Sequence, residues 1–314
     1  MTRITLLASL LILSALLVVG CGESDTRTPT TPSGDGPYPN LTFGGDTTFD
    51  VLTWNVKNFP STASDQNVYV ADIIRSLEPD LVAFQEISSV YVFDQMVAGI
   101  PGYDGFVCDS TSYSGQDLAW MWRTSTVTVD DHYDIYESQS GPFPRDPAVL
   151  EVTFGGVSMT LINNHFKCCG DGEIELSEGD EEYRRLEAVN LLDGWIEINA
   201  PGRRVIVLGD LNDKIDDSAT RNVFTAFLDD PDHYRFADMS LAGTPASYSW
   251  KLQSHLDHIL ISDELFGDFE KAGSAVATIR VDQHLENAMS EYTGHVSDHF
   301  PVGLSLDLTP EPLP

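Results

Sequence analysis

Five apolar runs in this chain each end in residues that can hold a cation or move a proton: Thr53-Trp54-Asn55-Val56, Phe84-Gln85-Glu86, Asn163-Asn164-His165-Phe166, Gly209-Asp210-Leu211-Asn212 and Ser297-Asp298-His299. Carboxylates, carboxamides and imidazoles are costly to bury unpaired. Their recurrence where strands should be burying Val and Leu therefore constrains the fold to one that gathers these ends at a shared site.

The apolar periodicity predicts strands alternating with helices. A strand over 49–56, a helix over 65–77 stopped by Pro79 and a strand over 80–87 make one β-α-β unit, followed by a helix over 90–100 closed by Pro101-Gly102. Strand patterns then follow at 118–123, 127–136, 148–154 and 157–166, with Gly155-Gly156 as a hairpin signal between the last two. An amphipathic helix is expected over 181–198, an all-apolar strand over 204–211, a helix near 219–228, and closing strands at 255–262, 275–281 and 299–308. A strand-rich middle with helical flanks suggests two stacked sheets covered by helices. At 314 residues with 42% hydrophobic content, one large core fits, and no internal repeat is present.

Charge excludes some partners. With 17 Lys+Arg against 49 Asp+Glu, the net charge of −32 repels polyanions at long range and leaves no basic stripe for nucleic acid. A solubility device in a salty habitat and a scatter of solvated faces both explain it, and the first ranks higher because the acids are spread through the chain rather than gathered in a tail.

The first 46 residues read as an address and a spacer. Met1-Thr2-Arg3 is a positive n-region, residues 4–19 are apolar or small, and Val18-Val19-Gly20-Cys21 reads as a lipobox. Residues 1–20 are thus expected to be a lipoprotein signal peptide, with Cys21 lipidated and the protein held in the cell envelope, at the outer membrane or cell surface, facing the periplasm or the exterior. Sixteen apolar residues are short for a bilayer span. Residues 21–46, rich in Thr, Pro, Gly and Ser, are expected to be a disordered linker. The globular domain then covers 47–309, with 310–314 as a tail. Three further cysteines remain, Cys108, Cys168 and Cys169. A bridge from Cys108 to one of the vicinal pair, a Cys168–Cys169 bridge and free thiols are all open, and no zinc-finger spacing is present.

Six short segments, taken in order, resemble a known family. Trp54-Asn55-Val56-Lys57, Gln85-Glu86, Asn164-His165, Gly209-Asp210-Leu211-Asn212, Leu256-Asp257-His258-Ile259-Leu260 and Ser297-Asp298-His299-Phe300-Pro301 are similar to the ordered motifs of the endonuclease/exonuclease/phosphatase superfamily. The stretch 116–123 followed by Phe143-Pro144-Arg145-Asp146-Pro147-Ala148-Val149 most resembles its pancreatic deoxyribonuclease branch. The resemblance implies an α/β fold, a four-layer α/β/β/α sandwich of two packed mixed β-sheets covered by helices. It also implies divalent-metal-dependent phosphodiester hydrolysis, with Mg²⁺ or Mn²⁺ at the centre and additional Ca²⁺ open.

The same resemblance assigns roles. Glu86 is the first choice of metal ligand, with Asn55 beside it and Asp298 either ligating or pairing with His165. Two imidazoles can divide the proton work near neutrality: His299, oriented by Asp257, as base and His165 as acid, with exchange of the two roles left open. Gln116 stands where that branch has the Glu partner of His165. Asp210 is expected to orient water or a second cation after a tight turn at Gly209. Asn212, Arg145 and Lys57 are expected to contact substrate phosphate. For lone histidines such as His132 and His233, a structural role is the default.

Three functions compete: a tethered endonuclease or phosphodiesterase acting on nucleic acid, a lipid or sugar phosphoesterase of the sphingomyelinase or inositol-phosphatase type, and a non-catalytic surface binding module. The membrane enters through the lipid anchor, and no stable protein partner is evident. A long apolar hairpin for bilayer insertion would favour the second reading, and no convincing one is present. Candidates for every catalytic role argue against the third.

Overall fold

Alternation along the strands sorts apolar side chains into three separate cores. The computed structural model describes residues 36–108, 115–244 and 249–309. Cys21 and the expected tail at 310–314 lie outside the described residues.

One sheet is built from β1 (Phe49–Phe59), β2 (Leu81–Ile87), β3 (Tyr103–Val107), β4 (Asp117–Arg123), β11 (Ala275–Thr278) and β12 (Val302–Leu306), in the order β11-β12-β1-β2-β4-β3. The other contains β5 (Val127–Asp134), β6 (Ala148–Phe154), β7 (Val157–His165), β8 (Val205–Asp210), β9 (Tyr234–Phe236) and β10 (Asp257–Ser262), in the order β5-β6-β7-β8-β10-β9. Among the described strands only the β1–β2 and β7–β8 pairs are parallel, so both sheets are mixed.

Period-two alternation then sets the layers. Phe49, Val51, Leu81, Ala83, Leu118 and Trp120 point from the first sheet into a shared core with Leu150, Val152, Leu161, Ile206, Leu208 and Ile259 of the second. Leu52, Trp54, Val82, Phe84, Ala119 and Met121 face the other way, against α1 (Gln66–Leu77), α2 (Val90–Ala98) and Tyr292 of α6 (Ala288–His295). Val149, Ile162, Val205, Val207 and Leu260 face α3 (Glu181–Asn199) and α4 (Thr225–Leu228). A short helix, α5 (Phe266–Phe269), completes the set. The result is the four-layer α/β/β/α sandwich expected.

Several boundaries differ from the sequence reading, each for a physical reason. The spacer expected over 21–46 is shorter at its described end. Leu41 is buried in the helix-side core, Tyr38 and Phe43 pack against it, and the Tyr38 amide donates to Ser76 Oγ at 3.2 Å. The helix expected near 219–228 shrinks to α4. The Asn222 carboxamide takes the carbonyls of Ile215 and Asp217 and accepts from the Phe224 amide, offering the backbone an alternative to helix. The strand β3 escapes the pattern because Gly105 interrupts it. A Cβ there would lie 2.6 Å from the Trp120 carbonyl oxygen, so glycine is required. In α6 the single fully buried residue is Tyr292, too little apolar periodicity to read.

A buried ionic cluster braces β10 from beneath. Asp238 Oδ2 accepts from His258 Nδ1 at 2.6 Å and His255 Nε2 at 2.7 Å, while Asp238 Oδ1 accepts from the Ile259 amide. His258 Nε2 donates to the Asp213 carbonyl at 2.8 Å, so both its ring nitrogens donate and the ring is cationic. Burial opposes that charge, and the Asp238 carboxylate overcomes it and raises the His258 pKa. The two imidazoles likewise outweigh burial and hold Asp238 well below its ordinary range. Asp238→Ala removes the partner of a buried cation and is expected to destabilise the fold by roughly 3–5 kcal/mol in urea titrations. His258 gains stability that is complete below 6.5 and fades as pH rises through its folded value; Asp238 gains stability present above 3.8 and lost as pH falls through its folded value. The gap between wild type and variant should therefore be widest between pH 3.8 and 6.5, and a flat difference below about 1 kcal/mol would contradict the ionic assignment.

Candidate active site

Topology brings the polar ends together. In the two parallel pairs, Asn55 stands beside Gln85 and His165 beside Asp210, so both pairs finish at the same rim of the sandwich. The strand β10 runs antiparallel to β8 with Asp257 opposite Asp210, and β12 runs antiparallel to β1 with Val302 opposite Thr53. Their starts therefore reach the same rim, and His299 precedes β12 there. The sequence order of the motifs becomes a ring around one cleft of about 630 Å³, lined among others by Glu86, His165, Asp210, Asn212, Asp298 and His299.

At its centre Asn55 joins the two sheets. Its Nδ2 donates to Glu86 Oε1 at 3.0 Å and to Asp210 Oδ2 at 2.9 Å, and its Oδ1 accepts from the Lys57 amide. One carboxamide thus holds carboxylates from both sheets. Glu86 Oε2 accepts from the Asn58 amide at 2.9 Å. Both strand ends are bulged, with Lys57, Asn58 and Glu86 at positive φ, so the backbone leaves the ladder just where these side chains must turn into the cleft. Beneath them, Gln85 Nε2 donates to Asn163 Oδ1 at 2.8 Å, and Asn163 Nδ2 donates to the Phe84 and Ala119 carbonyls.

His299 is fixed through its backbone and its ring. Its carbonyl accepts from Trp54 Nε1 and the Tyr292 hydroxyl, its amide donates to Ser297 Oγ, and Ser297 Oγ in turn donates to the Asn55 carbonyl. The ring Nδ1 lies 2.8 Å from Asp257 Oδ2 and Nε2 lies 3.8 Å from Asp210 Oδ2. Burial works against its charge, yet Asp257, Asp210 and Asp298 together raise its pKa to about 10. His165, at 3.5 Å from the same Asp210 oxygen, goes the other way: burial, then Arg145 and His299, push it well below 6.5. Asp210 is raised to about 7 by burial, against the pull of His299 and with the repulsion of Asp257 added. Two buried imidazoles thus flank one carboxylate, one cationic and one neutral.

Four expectations are corrected by position. Gln116 does not orient His165. Its carboxamide is taken by Asn58, at 2.6 Å, and by the Arg145 guanidinium, and among the described residues His165 Nδ1 has no hydrogen-bond partner. Arg145 donates to the backbone and side-chain oxygens of Gln116 and is not among the side chains lining the cleft. Asp298 sits with Lys57 at 3.4 Å and Lys251 at 3.3 Å, where it anchors cations rather than joining Glu86 or His165. Gly209 is not a turn residue. It lies within β8 opposite Asn164 at a φ of +150°, and a Cβ would meet the Asn164 carbonyl oxygen at 2.0 Å. Asn212 does reach the cleft, with Nδ2 donating one hydrogen to the Phe166 carbonyl and a second left for a ligand. Residues missed in the sequence are Asn58, Arg185, Lys214, Trp250 and Lys251. Their signals, an amide, isolated cations and one aromatic, resemble any solvated surface.

The donor set fits a hard divalent ion. Among the lining residues seven carboxylates (Glu86, Asp171, Glu182, Asp210, Asp213, Asp217 and Asp298) face three permanent cations (Lys57, Arg185 and Lys214), so a phosphate would be repelled without a bound cation. Glu86 Oε1 and Asp210 Oδ2 both accept from Asn55 Nδ2, so the two carboxylates meet at one amide. Asp210, Asp257 and His299 form one of the clusters whose ligand atoms all lie within 4.8 Å of one another. Asp238, His255 and His258 form another, but their donors already saturate each other as described above.

The sequence profile of the Endonuclease/Exonuclease/phosphatase family matches residues 52–299, spanning every motif in this ring. The chain belongs to that family. Solved structures share the fold. D. rerio TDP2 complexed with single-strand DNA product superposes with a TM-score of 0.61 at 18% identity, covering 83% of this chain and 100% of that one. The human Nocturnin catalytic domain with bound sulfate gives 0.59 at 14%, covering 84% and 94%. The Bacteroides thetaiotaomicron mannosyl-6-phosphatase gives 0.53 at 16%, covering 82% and 99%. No curated protein matches the chain by sequence. Family membership makes the chain a phosphoric ester hydrolase with a metal-binding site.

The dyad assignment is open to a direct check. Asp257→Asn removes the charge on His299 Nδ1, and the ring's titration in chelator-treated protein should fall from about 10 toward 6.5 when followed by NMR. An unmoved midpoint would mean that Asp257 does not set the charge of His299.

Proposed function

We propose that the protein is a divalent-metal-dependent phosphodiesterase acting on nucleic acid, tethered to the cell envelope through Cys21. The single observation that carries the reading is the ring of Glu86, Asn55, Asp210, His165, Asp257 and His299 joined by direct contacts around one cleft. The family neighbours include a TDP2 complexed with single-strand DNA product and a mannosyl-6-phosphatase, so substrate class rests on what the cleft offers beyond phosphate. Trp250 in the cleft lining, with Lys251 Nζ 4.9 Å from its ring centroid, sets an aromatic face beside a cation, which favours a strand of bases and phosphates over a small sugar phosphate.

In this mechanism Glu86 and Asp210 would hold Mg²⁺ or Mn²⁺, with Asn55 fixing both carboxylates. The ion supplies charge stabilisation to phosphoryl oxygens. Asp210, set between the two imidazoles, would also orient the attacking water and take its proton. His299, cationic at neutral pH, gives its Nε2 proton to the leaving oxygen, and Asp257 stabilises the imidazolium until then. His165 stays neutral and donates from Nε2 to a phosphoryl oxygen. The base role expected for His299 is thereby replaced by that of acid, because a group held at about 10 is a poor base at pH 7, and the acid role expected for His165 gives way to hydrogen-bond donation. Asn212 and Lys57 contact the phosphate, and Asp298 keeps Lys57 extended into the cleft.

His165→Ala and His299→Gln are each expected to lower kcat by ~10²–10⁴ on plasmid DNA while the fold is retained by circular dichroism. Near-normal turnover in either would contradict the assignment. Chelation should abolish hydrolysis and Mg²⁺ or Mn²⁺ restore it. Hydrolysis of sphingomyelin or inositol phosphates in preference to DNA, RNA or a bis-aryl phosphate would replace the nuclease reading by the lipid or sugar one. Cys21→Ser should move the protein from the membrane to the soluble fraction on cell fractionation, and unchanged membrane recovery would rule out the anchor.

A further inference from the structure

The loop after β7 carries two adjacent cysteines, Cys168 and Cys169, both exposed and both lining the rim of the cleft. Their sulfurs lie 3.0 Å apart, with the Cys169 thiol donating to Cys168 Sγ. A disulfide needs about 2.05 Å, so closure asks for a movement of roughly 1 Å. The buried Cys108 belongs to the core between the sheets, which leaves the exposed pair to each other. Donation to Cys168, with some help from burial, holds the Cys169 thiol above its ordinary range. Lys167 places its ammonium 3.9 Å from Cys168 Sγ, beside the sulfur that would react first.

The loop is built to hold this pair in place. Arg185 is buried, donates to the carbonyls of Lys167 and Cys169, and is itself bound by Glu182 at 3.2 Å and Asp213 at 2.9 Å. Gly172 donates its amide to Glu182 at 2.7 Å. Gly170 has a φ of +106°, a conformation L side chains rarely adopt, so glycine suits the turn beside Glu182. Asp213, the far end of this chain of contacts, follows directly on the catalytic Asp210-Leu211-Asn212 segment.

We propose that Cys168 and Cys169 are a thiol–disulfide pair, a modification site at the cleft rim that reacts with small-molecule disulfides of the glutathione class. Cys168 sulfur attacks one sulfur of the reagent and expels the first small thiol; Cys169 sulfur then attacks Cys168 Sγ and expels the second. The chain loses two electrons, the reagent gains them, and the two thiol protons leave on the two released small thiols. The new ring contains the Cys168–Cys169 peptide, so closing it turns Cys169, now at a φ of +77°, and shifts the carbonyl that Arg185 holds. Resting on the phosphoesterase reading, the second consequence is that oxidation changes catalysis by displacing the Arg185–Asp213 side of the cleft.

The full chain is treated with oxidised glutathione, quenched with an alkylating reagent and digested with trypsin. Cleavage after Lys167 and Arg184 releases both cysteines in one peptide. The expected product is that peptide unalkylated and lighter by two hydrogen atoms, with dithiothreitol restoring two alkylation sites. Two alkylated thiols after oxidation, a persistent glutathione adduct or a cross-link to another peptide would each overturn the pair. In parallel, oxidation should lower kcat/KM of wild type on a bis-aryl phosphate by at least about tenfold, since displacements of about 1 Å near a site cost up to ~10²-fold. The Cys168→Ser/Cys169→Ser variant should be indifferent to oxidant. Equal kcat/KM in both redox states would overturn the catalytic consequence alone. Absence of turnover in every state would count against the phosphoesterase reading, while the peptide mass still decides the thiol chemistry.

Discussion

One carboxamide carries the geometry of the site. Asn55 Nδ2 donates to Glu86 on its own sheet and to Asp210 on the facing sheet, so the relative position of the two sheets is set at the rim where chemistry occurs. A neutral amide is suited to this, because it satisfies a buried acceptor and a half-buried one without adding charge to either. The second crossing, Gln85 to Asn163, lies one layer deeper and closes the polar gap that the motif leaves in an otherwise apolar interior. Each carboxamide would cost stability if alone. Paired across the sheets they instead specify one register, since a slip of one residue would send Asn55 and Asp210 to opposite faces.

Electrostatics then divide the work among similar groups. Asp210 touches both imidazoles, yet His299 is cationic and His165 neutral, because only His299 has a second carboxylate, Asp257, on its other nitrogen. Arg145 deepens the difference by repelling a proton from His165. The overall charge of −32 adds to this picture. A cleft rich in carboxylates inside an acidic protein admits phosphate through a bound cation and a few lysines held by Asp298, and salt screening should ease the approach of a polyanion.

Much of this was legible in the sequence, and what was legible had a common cause. Strand ends marked by Asn55, Glu86, His165, Asp210 and His299 break apolar alternation, and a break of that kind is visible without coordinates. The layers followed from the same alternation. Partnerships were harder. Gln116 sits at the spacing of a histidine partner, yet the Arg145 guanidinium competes for its oxygen, and nothing local records that competition. Asp298 carries the expectation of a metal ligand or a partner of His165, but the cations it meets, Lys57 and Lys251, are distant in sequence, and nothing local records them. Gly209 looked like a turn because Gly-Asp usually is one; its reason, a carbonyl at 2.0 Å from any Cβ, belongs to another strand. The elements missed, β3, β9, α5 and α6, are each eight residues or fewer, too short for periodicity to register.

The central claim is that Glu86 and Asp210, fastened by Asn55, form the cation site. Anomalous scattering from a crystal soaked in Mn²⁺ measures this directly. The account predicts a peak in the cleft within coordination distance of the Glu86 and Asp210 carboxylates; a peak at Asp238, His255 and His258 with none at Glu86 would contradict it.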